Sequence, residues 1–261
     1  MIDIHSHVLW GLDDGAPTLE DSIAMARMAA AHGTTDLVAT PHANPVYKFD
    51  PERVRERLAE LNHALEGAVG DRLRLHSGCD FHLSYDNIED AIRNPRKYTI
   101  NGASYLLVEF SDLLVFSNTR QILDHLMQAG MTPVITHPER NGLLRQRADA
   151  IAEWVDAGTR VQVTAQSLLG EFGRQARDFC KVLLDRRLVH FVASDAHDWQ
   201  RRPPLLDRAC QWVSDEYGDA LAEALFVTNP RAVLTGDPLD RYTAEVAPPS
   251  RKWYQIWRRS S

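Results

Sequence analysis

Short runs of apolar, β-branched residues recur along the chain, with amphipathic stretches between them. The runs at 2–5, 37–40, 73–77, 105–110, 133–136, 161–164 and 189–193 read as strands. Helices are predicted between them. One spans 19–32, opened by Thr18 as N-cap with Asp21 three residues on. Others span 51–69, with Pro51 at a helix start, and 119–129, closed by Gly130. Alternation of strand and helix at roughly 30 residues per unit implies an α/β fold, a parallel sheet covered by helices. Seven such units point to a (β/α) barrel short of the usual eight strands, with an open doubly wound sheet as the alternative. The pattern stops near Gly236. Beyond it come Pro238, Pro248-Pro249 and a run from Arg251 to Arg259 that mixes cations with aromatics. Residues 1–236 therefore read as one barrel and 237–261 as an appended tail, of a composition that suits membrane-surface or partner contact.

At 261 residues the chain is long enough for one large domain with a well-buried core. A net charge of −7 gives no broad electrostatic reason to bind nucleic acid, so a phosphate-bearing ligand would have to be drawn by local positive charge. Cys79, Cys180 and Cys210 lack CxxC spacing, which argues against a disulfide framework and a zinc knuckle. No segment approaches the ~18 apolar residues that a membrane span requires. With the first strand starting at Ile2, no signal peptide is expected, and the reading is of a cytoplasmic protein.

The chemistry sits where the strands end. Residues two apart on a strand share a face, so His5 and His7 of His5-Ser6-His7 should point together. The loop beyond continues to Asp13-Asp14-Gly15, bringing carboxylates to the same mouth. Strand 2 leads to Pro41-His42, strand 3 to Cys79-Asp80, strand 4 to Glu109, strand 5 to His137, and strand 7 to Asp195 and His197. Only the sixth lacks a candidate ligand. In a parallel barrel these C-terminal strand ends converge on one face. The competing reading, polar groups lining a solvated rim, leaves four clustered carboxylates without compensation. Nine donors exceed what one ion uses, so two or three divalent ions are expected. Three would turn the carboxylates' charge to about +2, suited to a phosphate dianion and hydroxide. Nitrogen and oxygen donors without thiolate fit zinc, manganese or iron alike.

Two arginines follow ligands closely. Arg140 comes three residues after His137, and Arg202 comes five after His197, just before Pro203-Pro204. Guanidinium groups on such loops can clamp phosphate oxygens, although Arg201 is equally available on spacing alone. His32, His63 and His125 fall in helices and read as surface or packing residues, while His76 and His190 read as core. His82, two beyond Asp80, lies within reach of the site. Cys180 to Arg186 matches the C-x5-R spacing of cysteine-based tyrosine phosphatases. The stretch has no glycine to form a phosphate cradle and reads as an amphipathic helix, which rejects that chemistry.

With these residues in hand, the chain resembles the PHP (polymerase and histidinol phosphatase) superfamily. More closely, it is similar to the bacterial PHP-type tyrosine phosphatases of capsule and exopolysaccharide clusters. The resemblance covers roughly residues 1–235 and rests on several motifs. They are Met1-Ile2-Asp3-Ile4-His5-Ser6-His7, Asp13-Asp14-Gly15, Thr136-His137-Pro138-Glu139-Arg140, Ser194-Asp195-Ala196-His197, Arg202-Pro203-Pro204 and Asn229-Pro230-Arg231. It implies a distorted seven-stranded barrel whose metal site lies at the C-terminal strand ends. It also implies a trinuclear site of His5, His7, Asp14, His42, Asp80, Glu109, His137, Asp195 and His197, with Arg140 and Arg202 binding phosphate. The resemblance further implies a metal-bridging glutamate at the position where this chain departs with Asp80. The implied reaction is hydrolysis of phosphotyrosine by metal-activated water, and the implied partner is a membrane-attached tyrosine kinase. A homo-oligomer is left open. Three rivals remain: a PHP phosphatase of a small phosphomonoester such as histidinol phosphate, a barrel amidohydrolase, and a metal-stabilised module that only binds the kinase. The amidohydrolase class also opens with HxH, but it commonly bridges its metals with a modified lysine, where strand 4 here ends in Glu109.

Overall fold

Residues 1–67 and 72–239 are described by the computed structural model. The last two residues of the helix expected over 51–69, and the tail from 240 onward, lie outside the described residues. Among the described residues there are nine strands, β1 (Ile2–Ser6), β2 (Asp36–Ala39), β3 (His42–Ala43), β4 (Arg74–Ser77), β5 (Asp80–His82), β6 (Tyr105–Glu109), β7 (Thr132–Thr136), β8 (Arg160–Thr164) and β9 (Phe191–Ala193). Their ladders are all parallel and form two sheets, ordered β1-β2-β4 and β3-β5-β6-β7-β8-β9. Helices α1 (Leu19–Ala31), α2 (Pro51–Leu65), α3 (Tyr85–Arg93), α4 (Thr119–Gln128), α5 (Ala148–Asp156), α6 (Ala165–Leu168), α7 (Arg174–Asp185), α8 (Asp207–Tyr217), α9 (Asp219–Glu223) and α10 (Asn229–Thr235) follow in chain order. The expected Thr18 cap forms, its Oγ1 accepting from Asp21 N, and α2 starts at Pro51 as expected, with Asp50 accepting from Glu52 N as a further cap.

The second and third expected strands are each followed by a further short strand. β2 stops before Thr40-Pro41 and β3 resumes at His42; β4 stops before Gly78-Cys79 and β5 resumes at Asp80. Pro41 has no N–H to give to a ladder, which interrupts pairing where the chain changes sheet. As a result His42 and Asp80 are not trailing loop residues; they pair in register on short strands of their own. The outer edges also meet through backbone bonds, from Asp195 N to His5 O (2.9 Å) and from His7 N to Ala196 O (2.8 Å).

Alternation along the strands separates an inner from an outer layer. On β6, Tyr105 and Leu107 pack with Ile2, Ile4, Val38, Val134, Phe191 and Ala193, and Val233 of α10 joins the same cluster. Leu106 and Val108 face the other way, packing with Leu123 and Leu126 of α4. Each such residue buried contributes about 1.5–3 kcal/mol. Along the inner face of β6 the next residue is Glu109, so the apolar cluster leads directly to the polar strand ends. One departure from strict alternation matters: Ile4 lies in the inner cluster, yet the adjacent His5 is also fully buried among the polar groups. The β1–β2 register shifts between Asp3 and Ser6, and such an irregularity re-aims side chains.

Candidate metal centre

Five histidines gather above the inner cluster. The ring centroid of His7 lies 3.9 Å from that of His197, 4.5 Å from His42 and 5.4 Å from His5, and His5 lies 5.6 Å from His137. Carboxylates alternate with them. His5 Nε2 is 3.4 Å from Asp195 Oδ1 and 3.6 Å from Asp80 Oδ2, and His7 Nε2 is 3.4 Å from Asp195 Oδ1. His42 places Nε2 3.3 Å from Asp14 and Nδ1 3.1 Å from Asp80, with Glu109 at 3.7 Å. Four overlapping donor groups result: His7, Asp14, His42 and His197; His5, His7 and Asp80; His5, His137 and Asp195; His42, Asp80 and Glu109. All nine residues singled out from the sequence fall in at least one group.

Two features of this cluster fit a cation. His5 Nε2, His7 Nε2, His42 Nδ1 and both oxygens of Asp80 are buried without a hydrogen-bond partner. Buried polar atoms left in that state are costly and call for an ion or another partner. The separations of 3.3–3.7 Å are also long for hydrogen bonds. Two ligands bonded at about 2.1 Å to a shared tetrahedral ion would sit roughly 3.4 Å apart. The residues therefore fit divalent metal.

The protonation balance points the same way. Burial opposes ionisation of Asp80 and Asp195, yet the histidines around them hold both well below the usual carboxylate range. Burial likewise opposes protonation of His7 and His42. Asp13 nevertheless pushes His7 up to about 9, and the nearby carboxylates of Asp14 and Asp80 push His42 up to about 11. Burial depresses His137 and His197 to about 3, assisted by Arg140 and His7 respectively. The carboxylates thus demand positive charge, and a divalent ion meets that demand while displacing protons from the nitrogens.

The supporting residues were not all legible. His7 Nδ1 bonds Asp13 Oδ2 at 2.6 Å, and the same oxygen accepts from His42 N at 3.0 Å. His5 Nδ1 bonds Gln162 Oε1 at 3.0 Å, which aims Nε2 at the centre. Gln162 is fully buried on β8, from which no ligand was expected. Asp13 was noted only as a neighbouring carboxylate, and no sequence signal marked Gln162, whose contact spans 157 positions. Such partners fix the imidazole tautomer. Gln162→Leu should therefore weaken metal affinity roughly 10–100-fold, recoverable at excess metal. Unchanged affinity in calorimetric titration would show that His5 is held by other means.

Backbone geometry is specialised here as well. His137 and Asp195 both have positive φ, 33° and 52°, a conformation costing about 1–3 kcal/mol for a side-chain-bearing residue. Gly15 is required for space: a Cβ there would lie 2.1 Å from His7 O, in a loop closed by Ala16 N bonding that same oxygen. Gly15→Ala is expected to destabilise the fold by about 2 kcal/mol or more and to displace Asp14. Thermal unfolding and metal titration check it; a variant matching the parent in both would refute the crowding.

Arg140 and Arg202 converge on Asp195. Arg140 Nη1 donates to Asp195 Oδ2, and Arg202 Nη2 donates to Oδ2 at 2.6 Å and to the backbone oxygen at 3.0 Å. Arg201, its equal on spacing, is exposed. His82 reaches the rim, its Nδ1 3.6 Å from Glu109 Oε2. Four other histidines are occupied elsewhere, His32 with Asp207, His63 with Glu66, His76 with Asp36 and His190 accepting from Val161 N, and His125 lies in the last turn of α4. Cys180 is buried within α7, and burial pushes its thiol well above the usual range, while Arg186 pairs with Asp149.

The family described as "Capsular polysaccharide synthesis, CpsB/CapC" matches residues 1–235. Tyrosine-protein phosphatase YwqE of Bacillus subtilis is 37% identical over 85% of this chain and 87% of its own length. Tyrosine-protein phosphatase CpsB of Streptococcus pneumoniae is 30% identical over 90% of this chain and 98% of its own. A solved structure from work on those two proteins, described as unique metal-dependent tyrosine phosphatases, superposes with TM-score 0.86 at 35% identity, covering 95% of this chain and 98% of that one. An amidohydrolase from Mycoplasma synoviae shares the fold alone, with TM-score 0.53 at 11% identity over 98% of this chain and 93% of that one.

Proposed function

This chain belongs to the CpsB/CapC family of capsular polysaccharide synthesis, and on that premise we infer a metal-dependent tyrosine phosphatase that hydrolyses phosphotyrosine on a protein. The observation that carries the reading to these residues is the set of unpartnered buried donors facing one another beside two arginines.

We read the nine strands as seven staves of a distorted barrel, β2–β3 and β4–β5 each forming one broken stave, with the metal site at their C-terminal ends. Residues 1–236 form the phosphatase unit and 237–261 an appended tail. His5, His7, Asp14, His42, Asp80, Glu109, His137, Asp195 and His197 would hold two or three divalent ions, manganese, zinc or iron. When bound, such ions supply Lewis acidity and water of lowered pKa.

The chain's own residues do the rest. Arg202 Nε is buried without a partner, so a phosphate oxygen gives it the acceptor it lacks. Arg140 stands across Asp195 from it, and the two guanidinium groups would hold the phosphoryl oxygens as charge builds there. Asp195 keeps both arginines oriented while its other oxygen faces His5 and His7. The leaving tyrosinate has a conjugate acid of pKa about 10, which reduces the need for a strong general acid.

The substrate we propose is a membrane-attached tyrosine kinase of capsule or exopolysaccharide synthesis, met at the cytoplasmic face. Among the described residues no helix is long and apolar enough to cross a membrane. A phosphotyrosine peptide should be hydrolysed with kcat/KM at least ~10-fold above that for histidinol phosphate, since the chemistry is shared and only pocket contacts differ. The reverse ratio would move the substrate to a small phosphomonoester.

A further inference from the structure

Between α6 and α7 the chain makes a tight turn, Gly170-Glu171-Phe172-Gly173, closed by Gly173 N to Gly170 O at 3.0 Å. Both glycines take positive φ, 85° and 88°. The turn is pinned to the loop that carries Arg202. Gln166, itself buried, donates through Nε2 to Glu171 Oε2 at 2.8 Å and to Arg201 O at 3.0 Å. What the turn presents is the ring of Phe172. The Arg140 guanidinium carbon lies 4.4 Å from the ring centroid, and that of Arg202 lies 5.9 Å away.

Exposure rises outward through this group. The Asp195 side chain is 2% exposed, those of Arg140 and Arg202 are 27% and 24% exposed, and Phe172 is half-buried. A phosphate held by the arginines must direct its ester group away from the buried ligands, toward that more exposed layer. Phe172 is the aromatic side chain touching both arginines there. We propose that Phe172 is a specificity-determining residue: an aromatic ledge that receives the ring of an aryl phosphate and thereby favours phosphotyrosine over alkyl phosphates. The inference rests on the reading of Arg140 and Arg202 as phosphate ligands. Aromatic pairs prefer offset or edge-to-face contact, and guanidinium stacking leaves the ring edge available for it.

The test uses manganese-loaded protein and two non-hydrolysable probes, phenylphosphonate and methylphosphonate, with binding measured by calorimetry. Phe172→Ala should weaken phenylphosphonate roughly fivefold to tenfold and change methylphosphonate by less than about twofold. Phe172→Tyr, which keeps the ring, should restore the difference, and KM for a phosphotyrosine peptide should rise more than kcat falls. Equal losses for both probes would overturn the ledge and leave Phe172 as mere support for the arginines. No loss for either would overturn it outright. A parent protein that binds phosphonates and cleaves phosphotyrosine keeps the phosphatase reading standing under either of those results. A parent that does neither removes that reading, and the ledge with it.

Discussion

Asp80→Asn is expected to lower kcat/KM toward a phosphotyrosine peptide by at least ~10³-fold, about 4 kcal/mol, and to reduce the number of ions retained. Asp80 belongs to two of the four donor groups, one with His5 and His7 and one with His42 and Glu109. It is fully buried, neither oxygen has a hydrogen-bond partner, and His5 and His42 stand 3.6 and 3.1 Å away. An amide in its place keeps the shape, offers one neutral oxygen and turns an N–H₂ toward the cations. Two groups of donors are therefore weakened by one change. The metal-free protein should also unfold more easily than the parent, since the histidines that hold Asp80 ionised lose their anionic partner. Ion counting and steady-state kinetics on the same sample check this. Retention of more than about a tenth of parent activity would exclude Asp80 from a bridging position.

Arg140→Ala and Arg202→Ala should each cost ~10²–10³ in kcat with the metal content unchanged. Each guanidinium has donors beyond the one bound to Asp195 Oδ2, and the partnerless Arg202 Nε is the most telling. Because both groups act on one phosphoryl unit, the double variant should fall little further than the worse single one. Losing metal along with activity would instead assign the arginines to balancing Asp195, whose carboxylate both of them neutralise. Activity within about threefold of the parent would remove them from phosphate binding.

Much of this arrangement was legible because two periodicities carry it. Strand-and-helix alternation gave the parallel sheets, and a spacing of two brought His5 and His7 into one donor group, whereas Asp195 and His197 lie beyond β9, Asp195 with positive φ, and fall in different groups. Helical spacing likewise places Cys180 inside α7, where it is buried. What escaped was local or long-range. The register shift in β1 sets Ile4 and His5 in the same interior against strict alternation, and nothing in the residue types announces it. Beyond Thr40-Pro41 and Gly78-Cys79 the chain forms two further short strands, β3 and β5, that the sequence pattern does not mark, although Pro41 signals the break before the first. Arg201 and Arg202 were separable only once the loop's backbone was seen to turn one inward. Gln162, Asp13 and Phe172 gain their positions from partners distant in sequence or from loop closure, which spacing does not encode.

The sharpest measurement is a manganese titration of metal-free protein, counting bound ions while following phosphotyrosine hydrolysis in the same solution. Activity that climbs with occupancy and levels off at two or three ions per chain is the predicted result. Full turnover with fewer than about one ion for every ten chains would contradict it.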